Sequence, residues 1–184
     1  MLAPDYPLLT ERLLLRPPTV EDAAAVHIYK SRADVTRYIP HGPLTFEQIH
    51  ERHAKARTRI EDAGQALNLL AFRRDTGELV GDVVLFWHSV EHRGGEVGYI
   101  LDPAHNGHGY ATELARFAVG LGFAGLGLHR MVGRIDPRNE ASARVLERVG
   151  MRKEAHFISN EFIQGEWTDE AVYAVLEDDW RRTY

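Results

Sequence analysis

The segment Asn106-Gly107-His108-Gly109-Tyr110-Ala111-Thr112 sets two glycines around a histidine. It follows an apolar run closed by Asp102-Pro103 and leads into a helix-like run from Tyr110. Strand, glycine loop and helix start, in that order, make an anion site. Glycine lets backbone N–H groups converge without a side chain in the way, and the first-turn amides of a helix are unpaired and partly positive. On this reading Gly107 and Gly109 form the cradle, and Asn106, His108, Ala111 and Thr112 add backbone donors. A plain turn would use the same glycines. Two phosphate patterns fit poorly. A Walker A loop ends in lysine and Ser or Thr, and Tyr110-Ala111-Thr112 has no lysine. The dinucleotide pattern G-x-G-x-x-G is met by Gly107 and Gly109 but has Thr112 in place of the third small residue. The acid after the next strand, Asp136, lies beyond the roughly 20 residues of a ribose contact.

Other residues carry chemistry by type. Asn139 and Ser142 form N-x-x-S at a helix start, where Asn139 suits an N-cap and Ser142 projects from the same end. Arg138, Arg144 and Arg148 lie on or near that helix; they suit phosphate, and equally a solvated face. Glu96, in the strand "GEVGYIL" just before the loop, is either an exposed strand glutamate or an acid–base group sharing one structural unit with the anion site. Of ten histidines, His50 with His53 and His105 with His108 have helix-like or turn-like spacing. No Asp or Glu completes either set at ligand spacing, so no metal site is expected. With no cysteine in the chain, thiolate metal sites, disulfides and a cysteine nucleophile are excluded by arithmetic.

The elements that must position these residues follow from periodicity and punctuation. "TERLLLRPP" from Thr10 reads as a strand stopped by two prolines, and "TVEDAAAVHIYKS" as a helix capped by Thr19. After the break "YIPHGPL", the run from Thr45 predicts a long helix, "TFEQIHERHAKARTRIEDAG", with Gln48 completing a capping box and Gly64 past its end. "ALNLLAFRR", the turn "DTGE" and "LVGDVVLFWHSV" predict a hairpin, and "GGEVGYILD" a further strand. A helix from about Tyr110 to Ala124 follows, then strand "HRMVGRI", helix "NEASARVLERVG" and strands "KEAHFISNEF" and "EWTDEAVYAVL". The order is β-α-α-β-β-β-α-β-α-β-β. Consecutive antiparallel strands and then a β-α-β crossover imply an α+β fold, a mixed sheet of about seven strands with helices on both faces.

A length of 184 residues, without repeats or a composition shift, implies one domain spanning 1–184. Hydrophobic residues make up 44% and charged residues 27%, ordinary soluble usage. No run approaches a membrane span and the N-terminus lacks a signal-peptide pattern, so a cytoplasmic protein without membrane association is expected. The formal net charge of −5 argues against nucleic acid as partner and is compatible with a cationic substrate.

Asn106-Gly107-His108-Gly109-Tyr110-Ala111 also resembles the pyrophosphate loop of the GNAT superfamily of acetyltransferases, which reads Gln or Arg, two residues, Gly, one residue, then Gly or Ala; Asn106 stands in the Gln or Arg place. The resemblance extends over most of the chain and is closest to the Rim-type branch, the ribosomal-protein N-terminal acetyltransferases and their relatives. "TERLLLRPPTVEDA" is similar to that branch's opening, "GELVGDVVL" to its central hairpin and "GGEVGYILDPAHNGHGYATELARFAV" to its signature strand-loop-helix. "NEASARVLERVGM" and "GEWTDEAVYAVLEDDW" resemble the next helix and the closing strand. Five such segments in the right order are far more specific than any one of them.

The resemblance implies a GNAT fold, acetyl-CoA as co-substrate, and transfer to a primary amine of a small molecule or a protein N-terminus, by direct attack in a ternary complex. It places Ile100, Leu101, Asn106, Gly107, His108, Gly109, Tyr110, Ala111, Thr112, Asn139 and Arg144 on the cofactor, with Asn139 bonded to the pantetheine arm. Glu96 becomes the base that takes the amine's proton, and Ser142 the hydroxyl near the thioester sulfur. Tyr173 is an alternative proton donor. Trp87, Trp167 and Asp169, with Glu96, fall on the acceptor side, which "YIPHGP" and the helix from Thr45 would wall. A homodimer is compatible with the family. A non-catalytic acyl-CoA sensor would need the loop but not Glu96 or Ser142, and a nucleotide-binding oxidoreductase remains the outer alternative.

Overall fold

The computed structural model describes all 184 residues, and its apolar runs pair edge to edge into one mixed sheet. In chain order the elements are β1 (Leu8–Leu9), β2 (Leu13–Arg16), α1 (Ala23–Lys30), α2 (Ala33–Thr36), α3 (Phe46–Ala54), β3 (Ala66–Arg73), β4 (Leu79–Ser89) and β5 (Gly94–Leu101). They continue with α4 (Tyr110–Leu126), β6 (Arg130–Ile135), α5 (Glu140–Arg148), β7 (Arg152–Ile163), β8 (Glu166–Leu176) and α6 (Glu177–Thr183). Strands run β1-β2-β3-β4-β5-β6-β8-β7 across the sheet, antiparallel except for the β5–β6 pair. No helix is long and apolar enough to cross a membrane.

The α+β order expected from the sequence is present, with three additions. The sheet has eight strands rather than about seven, because Leu8 and Leu9 pair with Leu15 and Leu14 in a stretch too short to show a period. The turns α2 and α6 are likewise short. The helix from Thr45 keeps its capping box, Thr45 N donating to Gln48 Oε1 at 2.9 Å. It ends at Ala54 rather than near Gly64 because Ile60 leaves to pair with Leu2, through bonds of 2.7 and 2.8 Å, and becomes fully buried. Tertiary pairing overrides helix propensity there.

Cross-strand register sorts the side chains onto two faces. The rows Ala66–Phe86–Glu96, Asn68–Val84–Gly98 and Leu70–Asp82–Ile100 share the face covered by α1 and α3. Leu67–Leu85–Val97 and Leu69–Val83–Tyr99 share the opposite face, where Leu114, Ala118 and Val119 of α4 complete the larger core.

The parallel β5–β6 pairing is short. It joins Gly94–Glu96 to Arg130–Val132 and then stops, although β5 continues to Leu101 and β6 to Ile135. Helix α5 touches both diverging strands. Leu146, 1% exposed, packs so closely on Gly133 of β6 that an added Cβ would lie 2.6 Å from its Cδ2. On the other strand, the Tyr99 hydroxyl donates to the Ser142 carbonyl at 3.1 Å. The sheet is thereby held open as a fork.

Helix α3 is tied down by His53, whose Nδ1 donates to the Thr19 carbonyl at 2.9 Å. Burial lowers the pKa of His53 below 6.5, against the opposing effect of the Thr19 bond. The folded state therefore keeps this ring neutral where the unfolded chain protonates it, and its contribution falls away as pH drops below about 6.5. The denaturant midpoint is expected to fall between about pH 7.5 and 5.5, and His53→Gln to show a smaller fall; equal slopes would remove His53 from the acid response.

Candidate active site

The fork separates two cavities that meet within it. The first, a cleft of about 500 Å³, is lined by Asn106, Gly107 and Gly109, by Tyr110, Ala111 and Thr112 from the first turn of α4, and by Ile100 and Leu101 of β5. From α5 come Asn139, Ser142, Arg144 and Arg148. Gly107 and Gly109 have φ of 83° and 81°, in the left-handed region that glycine enters without penalty. A Cβ added at Gly107 would meet nothing within 4 Å, so conformation rather than crowding requires glycine. The 17-residue α4 directs its unpaired amides and its positive dipole end at this space.

Most of the loop and helix residues singled out in the sequence converge on the cleft. His108 does not: it is absent from the lining, and its ring stacks on Tyr110 with centroids 5.8 Å apart. Of the three arginines, Arg138 is spent on Asp136 at 2.6 Å and Glu166 at 2.8 Å, outside the cleft. Arg144 makes only an exposed i,i+4 pair with Glu140 at 3.1 Å, and Arg148 makes no ion pair. Both remain available to an anion. Asn139 caps α5 by accepting from Ser142 N at 3.1 Å, and Ser142 Oγ makes no protein hydrogen bond.

The second cavity, about 480 Å³, lies on the α1–α3 face. Ile39, Tyr99, Ile100, Asn139 and Ser142 line both spaces, so these residues mark the junction. Burial raises the phenol pKa of Tyr99, which stays protonated as the donor to Ser142. Glu96 lines the second cavity with one oxygen engaged: Oε2 accepts from His88 Nε2 at 3.0 Å and lies 3.5 Å from Arg134 Nε. Its Oε1 has no protein hydrogen bond. Five carboxylates, of Asp82, Glu96, Asp136, Glu161 and Glu170, face three permanent cations, Lys30, Arg52 and Arg134. Asp82 is neutralised by Lys30 at 2.8 Å, Glu170 by Arg134 at 2.9 Å and Asp136 by Arg138, from outside the lining, at 2.6 Å. Glu161 has no side-chain partner, and burial, then the nearness of Glu170, raises its pKa. The buried Asn68 Oδ1 is also without a partner.

Three expected acceptor-side residues lie elsewhere, each for a reason of strand parity. Trp87 is 9% exposed in the larger core, with Nε1 donating to the Ser89 carbonyl at 3.2 Å; its neighbour Phe86 faces the cavity. Trp167 is 66% exposed and packs on Phe162. Asp169 accepts from His156 Nε2 at 2.8 Å and Ser159 N at 2.9 Å, while Glu170, one residue on, faces the cavity. Tyr173 is buried opposite Gly133 and lines neither space. "YIPHGP" does wall the second cavity, through Tyr38, Ile39, Pro40 and His41. His88, Arg134, Glu161 and Glu170 went unread in the sequence. The signal for His88 was there: it stands two residues from Phe86, the cross-strand partner of Glu96.

No group of three or more His, Asp or Glu side chains is arranged to hold a metal ion. Residues 12–152 match the family described as "Acetyltransferase (GNAT) domain". The uncharacterized N-acetyltransferase YnaD of Bacillus subtilis is 35% identical over 173 residues, covering 94% of this chain and 98% of its own. Spermidine N(1)-acetyltransferase of Escherichia coli K12 is 29% identical over 90% of this chain and 87% of its own. Among solved structures, an acetyltransferase (GNAT family) from Bacillus anthracis is similar with a TM-score of 0.83 at 35% identity, covering 93% of this chain and 98% of that one.

Gly109→Val forces a β-branched residue to a φ of 81° at the N-cap of α4, a strain of about 1–3 kcal/mol relieved only by moving the loop. Coenzyme A affinity measured by calorimetry is expected to fall about tenfold. Wild-type affinity would remove the loop from the binding site.

Proposed function

The chain belongs to the GNAT acetyltransferases and is an acetyl-CoA-dependent enzyme; from that premise we propose that it acetylates the primary amine of a small, positively charged molecule by direct attack in a ternary complex. The observation that carries this reading is the junction at Ser142, a residue shared by the linings of an anion cradle and an acidic cavity. Membership of the Rim-type branch belongs to the same proposal and is supported by the ordered motifs from "TERLLLRPP" to "GEWTDEAVY".

The residues present suit coenzyme A. Two left-handed glycines and the first-turn amides of α4 offer the open concavity a diphosphate needs, with Arg144 and Arg148 alongside. Beyond Glu96, β5 has no β6 partner, so its backbone N–H and C=O groups facing the fork are free for an extended arm bearing amides. When bound, acetyl-CoA supplies an activated acyl carbonyl and a thiol leaving group.

This chain's own groups handle the protons. Glu96 accepts the proton of the acceptor ammonium, directly or through water, at Oε1, while His88 and Arg134 fix the other oxygen. Ser142 holds a transferable proton at Oγ in the junction, and Tyr99 fixes the Ser142 backbone. No covalent enzyme intermediate is required, in keeping with the absent cysteine.

A cationic acceptor suits the unpaired Glu161 carboxylate and the unpaired Asn68 oxygen. An ammonium ~4 Å from a carboxylate gains ~1 kcal/mol in open water and ~4 kcal/mol at an effective dielectric of ~20. The E. coli relative's spermidine specificity supports the same class. A screen of small amines, diamines and N-terminal peptides for thiol release is expected to select small cationic amines; selective turnover of peptides would overturn the acceptor assignment. Glu96→Gln is expected to lower kcat by about 10²–10⁴ with coenzyme A affinity retained, and unchanged turnover would remove Glu96 from the mechanism.

A further inference from the structure

We propose that Arg12 is the positioning residue of the donor cradle, neutralising Glu113 in the first turn of α4 and holding the glycine loop from behind, so that coenzyme A affinity depends on it. The inference rests on the reading of the 500 Å³ cleft as the coenzyme A site. Arg12 lines neither cavity and lies 101 residues before Glu113.

Its contacts form one unit. Arg12 Nε donates to Glu113 Oε2 at 2.7 Å, and Nη2 lies 2.7 Å from the same oxygen. Glu113 Oε1 accepts from Arg12 N at 2.9 Å and from Thr10 Oγ1 at 2.5 Å. Nη1 of Arg12 donates to the His108 carbonyl at 2.8 Å, and the guanidinium lies over the Tyr110 ring, 4.7 Å from its centroid. Arg74 braces the segment in turn, its Nη1 donating to the carbonyls of Thr10 at 2.9 Å and Glu11 at 3.0 Å.

Two consequences follow for an anion. A trans peptide sets C=O and the next N–H in opposite directions, so drawing the His108 carbonyl toward Arg12 turns the Gly109 N–H away from Arg12. The second is electrostatic. A carboxylate in the first turn favours a helix by itself but repels a diphosphate arriving at the same dipole end. Although burial opposes it, the bonds from Thr10 and Arg12 hold the Glu113 carboxyl below the usual range, so Glu113 is ionised beside the dipole end and Arg12 is the cation that offsets its charge. The guanidinium fork supplies charge and aim together.

The test is calorimetric titration of the full chain with coenzyme A, at low salt and in about 1 M salt, for wild type, Arg12→Ala, Glu113→Gln and the double variant, with thermal unfolding to verify folding. Wild type that fails to bind overturns the cleft reading; wild type that binds isolates the inference. Arg12→Ala is expected to weaken binding about tenfold at low salt while kcat at saturating acetyl-CoA and amine KM stay within about twofold. That penalty should shrink in high salt, where Glu113 is screened. Arg12→Ala/Glu113→Gln should bind at least about threefold more tightly than Arg12→Ala, a rescue that loss of packing alone would not give. Wild-type affinity in Arg12→Ala, a salt-independent penalty, or no rescue would each overturn the proposal. Should Arg12→Ala fail to fold, Arg12→Lys keeps the charge without the fork and is expected to lose about threefold, and wild-type affinity in that variant would count against it.

Discussion

The structure depends on where one pairing stops. Strands β5 and β6 share a short parallel ladder that ends at Glu96 and Val132, and the residues of both strands that line the two cavities lie at or beyond that point. Had the ladder continued, the backbone groups of β5 past Glu96 would be spent on β6. Helix α5 holds the strands apart, with Leu146 pressed on Gly133 and Ser142 bonded to Tyr99. Glu96 is the last residue of the ladder. Its backbone is fixed by the sheet while its side chain reaches the cavity, which suits a group that must be held still to transfer a proton.

Either side of the fork has opposite polarity. The α4 side offers amides, a helix dipole and two arginines; the α1–α3 side offers more carboxylate than cation. The buried trio of Tyr29, Lys30 and Asp82 belongs to the second side. Asp82 accepts from the Tyr29 hydroxyl at 2.7 Å and from Lys30 at 2.8 Å, so its charge is spent internally. Such a buried pair adds little net stability, since desolvation offsets the attraction. Its effect is to fix α1 against the sheet and to leave Glu161 as the cavity's unpaired carboxylate.

Local signals were legible and long-range ones were not. The glycines that turn the chain into α4, the Thr45 capping box and the Asn139 cap are written within a few residues, and each is found in the structure. The early end of α3 was not legible because it depends on Leu2, far away in sequence. Trp87, Trp167 and Asp169 drew attention by residue type, but a strand turns alternate residues to opposite faces, and each lies one step off the cavity phase. Glu96 fixes that phase through Phe86, which is how His88 becomes readable. The bond from Arg12 to Glu113 had no local signature at all; by periodicity "TERLLLRPP" reads as a strand, and nothing in it points to a partner 101 residues on.

Under the proposed function, this layout separates donor from acceptor chemistry. The cradle is built mostly from backbone, whose geometry depends on two glycines and the first turn of α4. The second cavity is built from side chains that the sheet presents on alternate positions: Phe86, Arg134, Glu161 and Glu170. Exchanging any of these four alters the charge or shape offered to an amine without moving the loop, because the two sets share only the junction residues Ile39, Tyr99, Ile100, Asn139 and Ser142. A fold divided in this way can keep one acyl donor while its acceptor changes. Motifs for the donor therefore stand out in the sequence, whereas the acceptor is encoded by parity and charge on a few strand positions.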